Sequence, residues 1–386
     1  MPQQVRVGLV GYKFMGKAHS NAYLKVSKFF DLGATVAMKA ICGREAAGLA
    51  RFAERFGWES YETSWESLIA RDDIDLIDIS APGYVHHDIA IAAARAGKHV
   101  FCEKPLAVNL AEAREMLAAV REAGVKHMVN FNYRRVPALA LAQQMIEGGE
   151  IGEIRHFRGT YLQDWINDPQ FAMNWRLRKE VAGTGAHGDL NAHLIDLARF
   201  LVGEISQVVG MNKTFIKERP AEGTSDGLKA VAGEGTEEVT VDDCTLFLAR
   251  FADGAVGTFE ATRMAAGRKN YNRIEINGSL GSLAFCFEDM NVLEFYSARD
   301  PAGRQGFRRI LATEDVHPYV AAWWPPGHVL GYEHTFINSV YDLIQAIAND
   351  MPATPDFRDG AQCTAVLETV DRSIDENAWL NVPVIE

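Results

Sequence analysis

No C-x-x-C pair occurs in the chain, and its five cysteines, Cys42, Cys102, Cys244, Cys286 and Cys363, stand far apart. That spacing suggests neither a disulfide framework nor a zinc site, and an odd number of isolated thiols suits a reducing compartment. Long apolar runs are missing too, so no segment reads as a membrane span. Basic charge is in deficit: 39 Lys and Arg against 51 Asp and Glu leave a net charge of −12. Such a balance opposes non-specific attachment to nucleic acid or anionic lipid. It does not oppose a small anionic cofactor, which a few local cations and backbone N–H groups can hold. The chain runs from Met1 almost directly into an apolar strand, with no basic region or apolar signal core, so the expected location is the cytoplasm.

What is present is enough apolar residue for two cores: 386 residues, 48% hydrophobic and 23% charged. Up to residue 131, short apolar runs (5–10, 35–41, 74–80, 99–102, 127–131) alternate with helical patterns (45–56, 87–95, 109–123), the grammar of a doubly wound parallel sheet. A helix at 137–147 then leads to more alternating strands at 154–161, 245–251, 255–262, 273–276 and 283–287. Asp253 and Gly254 mark a hairpin between two of them. The expected fold is therefore α/β: an N-terminal Rossmann sheet over 1–131, then over 132–386 an α+β domain with an open, mostly antiparallel sheet. The stretch 217–242, rich in Gly and Glu, reads as a solvated loop leaving that sheet, and helices return at 333–348 and 359–376.

GLVGYKFMGKAHS (8–20) lies between the first strand and the first helix. Gly11, Lys13 and Gly16 occupy the three positions of G-x-G-x-x-G. Gly11 suits the tight turn and Gly16 a close helix, while the helix N-terminus at Phe14 and Met15 offers N–H groups to a pyrophosphate. Lys13 stands where glycine lets phosphate approach, so its side chain must turn aside or add a cation. At the end of the second strand the usual ribose-binding acid is replaced by ICGRE (41–45). The cofactor is NAD or NADP: Gly43 and Arg44 favour NADP, whereas Glu45 one turn later could reach the ribose of NAD.

Two further segments, SAPGYVHHDIAIAAARAGKHVFCEKPLA (80–107) and GTGAHGDLNAHLIDLARFL (183–201), join that turn in resembling the Gfo/Idh/MocA family, named for glucose-fructose oxidoreductase and inositol dehydrogenase. The E-K-P tripeptide and the D-x-x-x-H pattern are specific in combination. QDW (163–165), NWR (174–176) and WWPPGH (323–328) are similar to the levoglucosan dehydrogenase-type members. The resemblance implies an NAD(P)-dependent oxidoreductase acting on a secondary hydroxyl of a sugar, glycoside or inositol-like polyol. It also implies a homodimer or homotetramer formed through the C-terminal sheet. By position, Lys104 is the catalytic lysine, Asp189 and His193 are the acid/base pair, and Ala81, Pro82, His86 and Glu103 join the cofactor set. The chain departs from the family at Lys13 and Gly43, and at His187, where a Leu or similar residue is common.

The chemistry agrees with those positions. Alcohol oxidation needs a base for the hydroxyl proton and a charge that stabilises a developing alkoxide. A neutral imidazole four residues after a carboxylate suits the first task, and a lysine at the end of a parallel strand suits the second. Asp164, Trp165, Trp175, Arg176 and His187 are candidates for gripping a sugar, whose C–H patches fit aromatic faces and whose hydroxyls fit charged groups. Asp196 reads as structural. His187, Asp189 and His193 are not read as metal ligands. Two alternatives keep the same residues: glycoside cleavage through transient oxidation with recycled NAD, and a non-catalytic NAD(P)-binding sensor.

Overall fold

The computed structural model describes residues 3–226 and 229–386. Runs such as LIDI and HVFC carry almost no polar face, as strands covered on both sides require. They form the middle of a six-stranded sheet made of β1 (Gln3–Val10), β2 (Ala34–Cys42), β3 (Ser60–Glu62), β4 (Leu76–Ile79), β5 (His99–Cys102) and β6 (His127–Val129). All its strand pairs are parallel, in the order β3-β2-β1-β4-β5-β6. The order reverses between β1 and β4, and ligands of such sheets bind outside the carboxyl ends of the strands at that reversal. β3, three residues long and never fully buried, carries too little pattern to be read from sequence.

Helices Phe14–Phe29, Ala46–Phe56, His86–Arg95 and Leu110–Ala123 follow β1, β2, β4 and β5. The last begins at Asn109, whose side chain accepts the Glu112 N–H at 2.9 Å, and ends at Gly124 in the left-handed conformation.

The chain divides into two compact units, and the first takes in more than the expected N-terminal domain. It comprises Met1–Asn132, Tyr332–Thr364 and Ile385–Glu386. The returning helix Tyr332–Ala348 buries Phe336, Ile337, Val340, Leu343 and Ile344. Tyr341 stacks on Phe30 at 4.3 Å and Phe336 lies against His19 at 5.5 Å. The expectation placed this segment in the second domain because sequence order hides the apolar face it shares with helix Phe14–Phe29.

The second unit, Tyr133–Gly331 with Ala365–Val384, is built on a nine-stranded sheet. Its elements in chain order are helix Pro137–Glu147, β7 (Ile154–Leu162), helix Ala192–Leu201, β8 (Ile205–Lys213), β9 (Glu218–Asp226), β10 (Lys229–Glu238), β11 (Cys244–Phe251), β12 (Val256–Thr262), β13 (Tyr271–Gly278), β14 (Gly281–Cys286), β15 (Val292–Ser297), β16 (Arg308–Leu311) and β17 (Leu380–Asn381). The sheet order is β16-β15-β14-β13-β7-β12-β11-β8-β17. Only the β7–β12 pair is parallel, and the hairpin at Asp253 and Gly254 joins β11 to β12. Along β11 and β12 burial alternates, leaving Leu248 and Val256 each 48% exposed on the open face.

The stretch 217–242 corrects the reading as a plain loop: it holds the separate antiparallel pair β9–β10, and its residues 227 and 228 lie outside the described residues. Its base is anchored by fully buried Arg219, which donates to the carbonyls of Ile166 and Asp168 at 2.7 and 2.8 Å, and by Val239 and Val241 in a core with Ile166, Met173 and Leu177. A composition dominated by the exposed part of the hairpin conceals that anchor. Among the described residues no helix is long and apolar enough to cross a membrane.

Candidate active site

The candidate residues fall into two groups, one in each compact unit. In the first, the turn after β1 requires glycine twice. Gly11 has φ +106°, and a side chain there would press on Ser80 at 2.8 Å; a Cβ on Gly16 would stand 2.1 Å from the Gly11 carbonyl oxygen. Ser80 closes the turn by donating its hydroxyl to the Val10 and Gly11 carbonyls at 3.1 and 3.2 Å. Helix Phe14–Phe29 starts with no side-chain cap, so its first N–H groups face the carboxyl edge of the sheet as a phosphate cradle requires. These features fit a dinucleotide. Lys13, at the N-cap, lies over the Tyr12 ring at 5.2 Å. Phe14 is 48% exposed and stacks on Tyr332, while Met15 is half-buried.

Gly43 lies against Tyr12. A Cβ there would meet the Tyr12 ring at 2.6 Å, and the Tyr12 hydroxyl donates to the Glu45 carboxylate at 3.2 Å. The glycine makes room for the Tyr12 ring. Arg44 is exposed beside it.

His86 is 1% exposed and faces carbonyl oxygens on both sides: Ala81 at 2.9 Å from Nε2, Pro105 and Leu106 at 3.1 and 3.3 Å from Nδ1. Burial pushes its pKa below the ordinary histidine value, with Glu103 and the hydrogen bonds to these carbonyls opposing. His86 thus lies between the turn after β4, which carries half-buried Ala81 and Pro82, and the turn after β5. Glu103 is likewise buried. Its Oε1 accepts from His19 at 2.9 Å and from Asn130 at 2.6 Å, and Oε2 accepts the Lys104 backbone N–H at 3.1 Å. Lys104 itself is half-buried at the carboxyl end of β5.

Beneath Glu103 lies Asp78, a carboxylate in the middle of the buried strand β4, bound by His19 Nδ1 at 2.8 Å and by the Tyr23 hydroxyl at 2.8 Å. Burial alone would lower the His19 pKa; Asp78 and Glu103 outweigh it and push it up to about 10. A histidine raised above its ordinary value stabilises the fold fully below that value and loses the contribution as pH climbs through the raised one. Thermal melts are expected to show this contribution declining steadily as pH rises from about 6.5 and exhausted by about 10. His19→Gln, starting from a lower Tm, should lack that fall. A wild-type melt unaffected by pH 10 would contradict the charged His19.

In the second unit the segment His187–Asn191 winds as a π-turn into helix Ala192–Leu201, a distortion that recurs at functional sites. Asp242 holds its start, accepting the N–H groups of Gly185 and His187 at 2.6 and 2.8 Å, and a Cβ on Gly185 would collide with the Asp242 carbonyl at 1.9 Å. His187 is fully buried. Asn191 donates to its Nδ1 at 3.0 Å, which leaves Nε2–H to donate to the Leu367 carbonyl at 3.0 Å. Both ring nitrogens are thus engaged within the second unit.

Asp189 accepts from Arg263 at 2.9 Å, a guanidinium only 2% exposed that also lies 5.5 Å from the Trp165 ring. Arg263 was not legible beforehand, since a single basic residue after a strand is unremarkable. Trp165 Nε1 donates to Gln163, which donates to Asn270 together with the Tyr161 hydroxyl. Tyr161 and Tyr133 share a 2.6 Å hydrogen bond, and Tyr133 stacks on the His193 ring at 4.2 Å. This continuous set therefore brings Trp165 and His193 into one cluster. Arg176 stacks over Trp175 at 4.3 Å; burial lowers its pKa, with Asp189 opposing. Asp164 is engaged elsewhere: it accepts from Gly267 N–H at 2.9 Å and Lys269 Nζ at 2.8 Å, which hold it below the usual carboxylate range. It fastens the loop after β12. Asp196 forms a buried pair with Arg134.

Residues 5–131 match the oxidoreductase family with an NAD-binding Rossmann fold, and residues 139–284 match the Gfo/Idh/MocA C-terminal domain. The levoglucosan dehydrogenase of Pseudarthrobacter phenanthrenivorans is 45% identical over 388 residues, covering 99% of each chain. A levoglucosan dehydrogenase solved in complex with NADH and levoglucosan superposes with a TM-score of 0.94 at 44% identity, over 99% of this chain and 100% of that one. An oxidoreductase domain protein from Kribbella flavida gives 0.94 at 51% identity with the same coverage. Matched over most of its length in both units, the chain belongs to the Gfo/Idh/MocA family of NAD-binding oxidoreductases.

Proposed function

We propose that the chain is an NAD-dependent dehydrogenase that oxidises a secondary hydroxyl of a pyranoside, with an anhydro sugar such as levoglucosan as the leading substrate. The observation that carries the reading is the cluster of Asp189, Arg263, Trp165, Tyr133 and His193, an aromatic and hydroxyl-binding set, on a chain similar throughout to levoglucosan dehydrogenase. Bound NAD supplies the hydride acceptor. His193 takes the hydroxyl proton, Lys104 stabilises the developing alkoxide, and Asp189 accepts from sugar hydroxyls. Trp165 and Trp175 cover the apolar face of the ring, and Arg176 helps to orient it.

NAD rather than NADP is the proposed cofactor. What supports this is the Glu45 carboxylate, held by Tyr12, which would accept from ribose hydroxyls and repel a 2′-phosphate, while the Tyr12 ring accounts for a glycine at position 43. A charged hydrogen bond is worth roughly 1.5–3 kcal/mol, so Glu45→Gln is expected to lower the ratio of kcat/KM for NAD over NADP by about tenfold or more. A wild-type preference for NADP, abolished by Arg44→Ala, would overturn the assignment. The open sheet face with Leu248 and Val256 is proposed as the homo-oligomer interface, and the cytoplasm as the location.

The function is tested by incubating the protein with NAD and a panel of pyranosides, anhydro sugars and inositols while following NADH absorbance. NADH appearing with an anhydro sugar supports the proposal. NADH with inositols alone would move the substrate class, and consumption of a glycoside without NADH would point to redox-assisted cleavage.

A further inference from the structure

The buried chain Tyr23–Asp78–His19–Glu103–Asn130 is used by neither phosphate binding nor proton transfer, yet it ends one peptide bond from the lysine. Buried ions are costly unless paired and hydrogen-bonded, so a cation enclosed by two carboxylates in this position calls for a function. Two of its members come from strand β4 and the end of β5. His19 and Tyr23, four residues apart, come from helix Phe14–Phe29, whose first turn is the candidate phosphate cradle. The groups packed on the His19 ring are Asp78, Glu103 and Asn130 through its nitrogens, and Phe101 and Phe336 at 5.4 and 5.5 Å on its flanks. Lys104 is the other charge felt by Glu103. Asp78, His19, Glu103 and Lys104 together sum to zero, so taking away the His19 charge leaves two interior carboxylates against one lysine.

We propose that His19 is a positioning residue for Lys104: as a cation between Asp78 and Glu103 it keeps Glu103 ionised and oriented, with Oε2 on the Lys104 backbone N–H. It thereby ties the lysine's place to the helix that receives the cofactor phosphates. The inference rests on reading Lys104 as the catalytic lysine. Without the imidazolium, Glu103 loses the hydrogen bond and charge that oppose its desolvation, and its carboxyl is driven toward the protonated form. Glu103 then exchanges between two states, and the turn that bears Lys104 exchanges with it. Displacement of a catalytic group by about 1 Å suffices for a hundredfold loss.

The test compares His19→Gln, Glu103→Gln, the double variant and Lys104→Ala. For each, turnover is measured across pH, NADH binding by fluorescence titration, and folding by thermal melt. His19→Gln is expected to lower kcat by about 10- to 100-fold, to bind NADH within about threefold of wild type, and to show an ionisation in its pH–kcat profile that the wild type lacks. The double variant, with no carboxylate left at position 103, should lose that ionisation and cost less than the two single losses multiplied. A lower Tm with wild-type kcat, or a lower kcat with a profile of wild-type shape, would overturn the proposal by making His19 merely structural. If His19→Gln does not fold, Glu103→Gln decides, since it keeps the side chain's shape: wild-type kcat there refutes the proposal and a comparable loss supports it. Full activity of Lys104→Ala would instead refute the reading of the lysine, an outcome distinct from either.

Discussion

Replacing Lys104 by Met is expected to lower kcat by about 10² or more while leaving NADH affinity within about threefold, the scale of losing a charge that acts in the transition state alone. Met retains the apolar stem and removes only the ammonium, so a loss cannot be assigned to packing. The lysine stands at the carboxyl end of β5, its backbone N–H fixed by Glu103 and the following turn held by His86 through Pro105 and Leu106. So much neighbouring structure holding one surface-reaching side chain is unusual for an ordinary turn lysine. Turnover near that of the wild type would remove Lys104 from the mechanism.

The second large effect concerns His193. If the neutral ring accepts the substrate proton, alcohol oxidation rises with pH through the histidine's titration, and His193→Asn should abolish that limb and cut kcat by about 10²–10⁴. The structure changes what is expected of its partner. Asp189 is paired with Arg263, and the Tyr133 ring stacks on His193 and orients it. Asp189→Asn should therefore raise the KM for sugar and leave the limb nearly where it was. A limb moved clearly to lower pH would restore Asp189 as the orienting group for His193. A His193→Asn enzyme with an unchanged profile would make Lys104 the proton acceptor.

Much of this architecture was legible in the sequence because it is written in local pattern. Apolar runs and Ala-rich periodicity marked five strands of the parallel sheet, and Gly11, Gly16, E-K-P and D-x-x-x-H marked the edges where chemistry is expected. What escaped depends on partners distant in the chain. His19 meets Asp78 and Glu103 across 59 and 84 residues, and Asp189 meets Arg263 across 74. The partners of His86 and His187, backbone carbonyls and the Asn191 side chain, were likewise not legible, because sequence shows a histidine without the groups that satisfy it. The Tyr12 ring against Gly43 was not visible in local pattern, and Arg219 lay hidden in a stretch whose polar composition suggested a loop.

The most direct test of the central claim is the stoichiometry of NADH formed to anhydro sugar consumed in a single reaction with excess NAD. The account predicts one NADH for each sugar oxidised, with the corresponding ketone as product. Sugar consumed with no accumulated NADH, or NAD bound with no pyranoside oxidised, would contradict it.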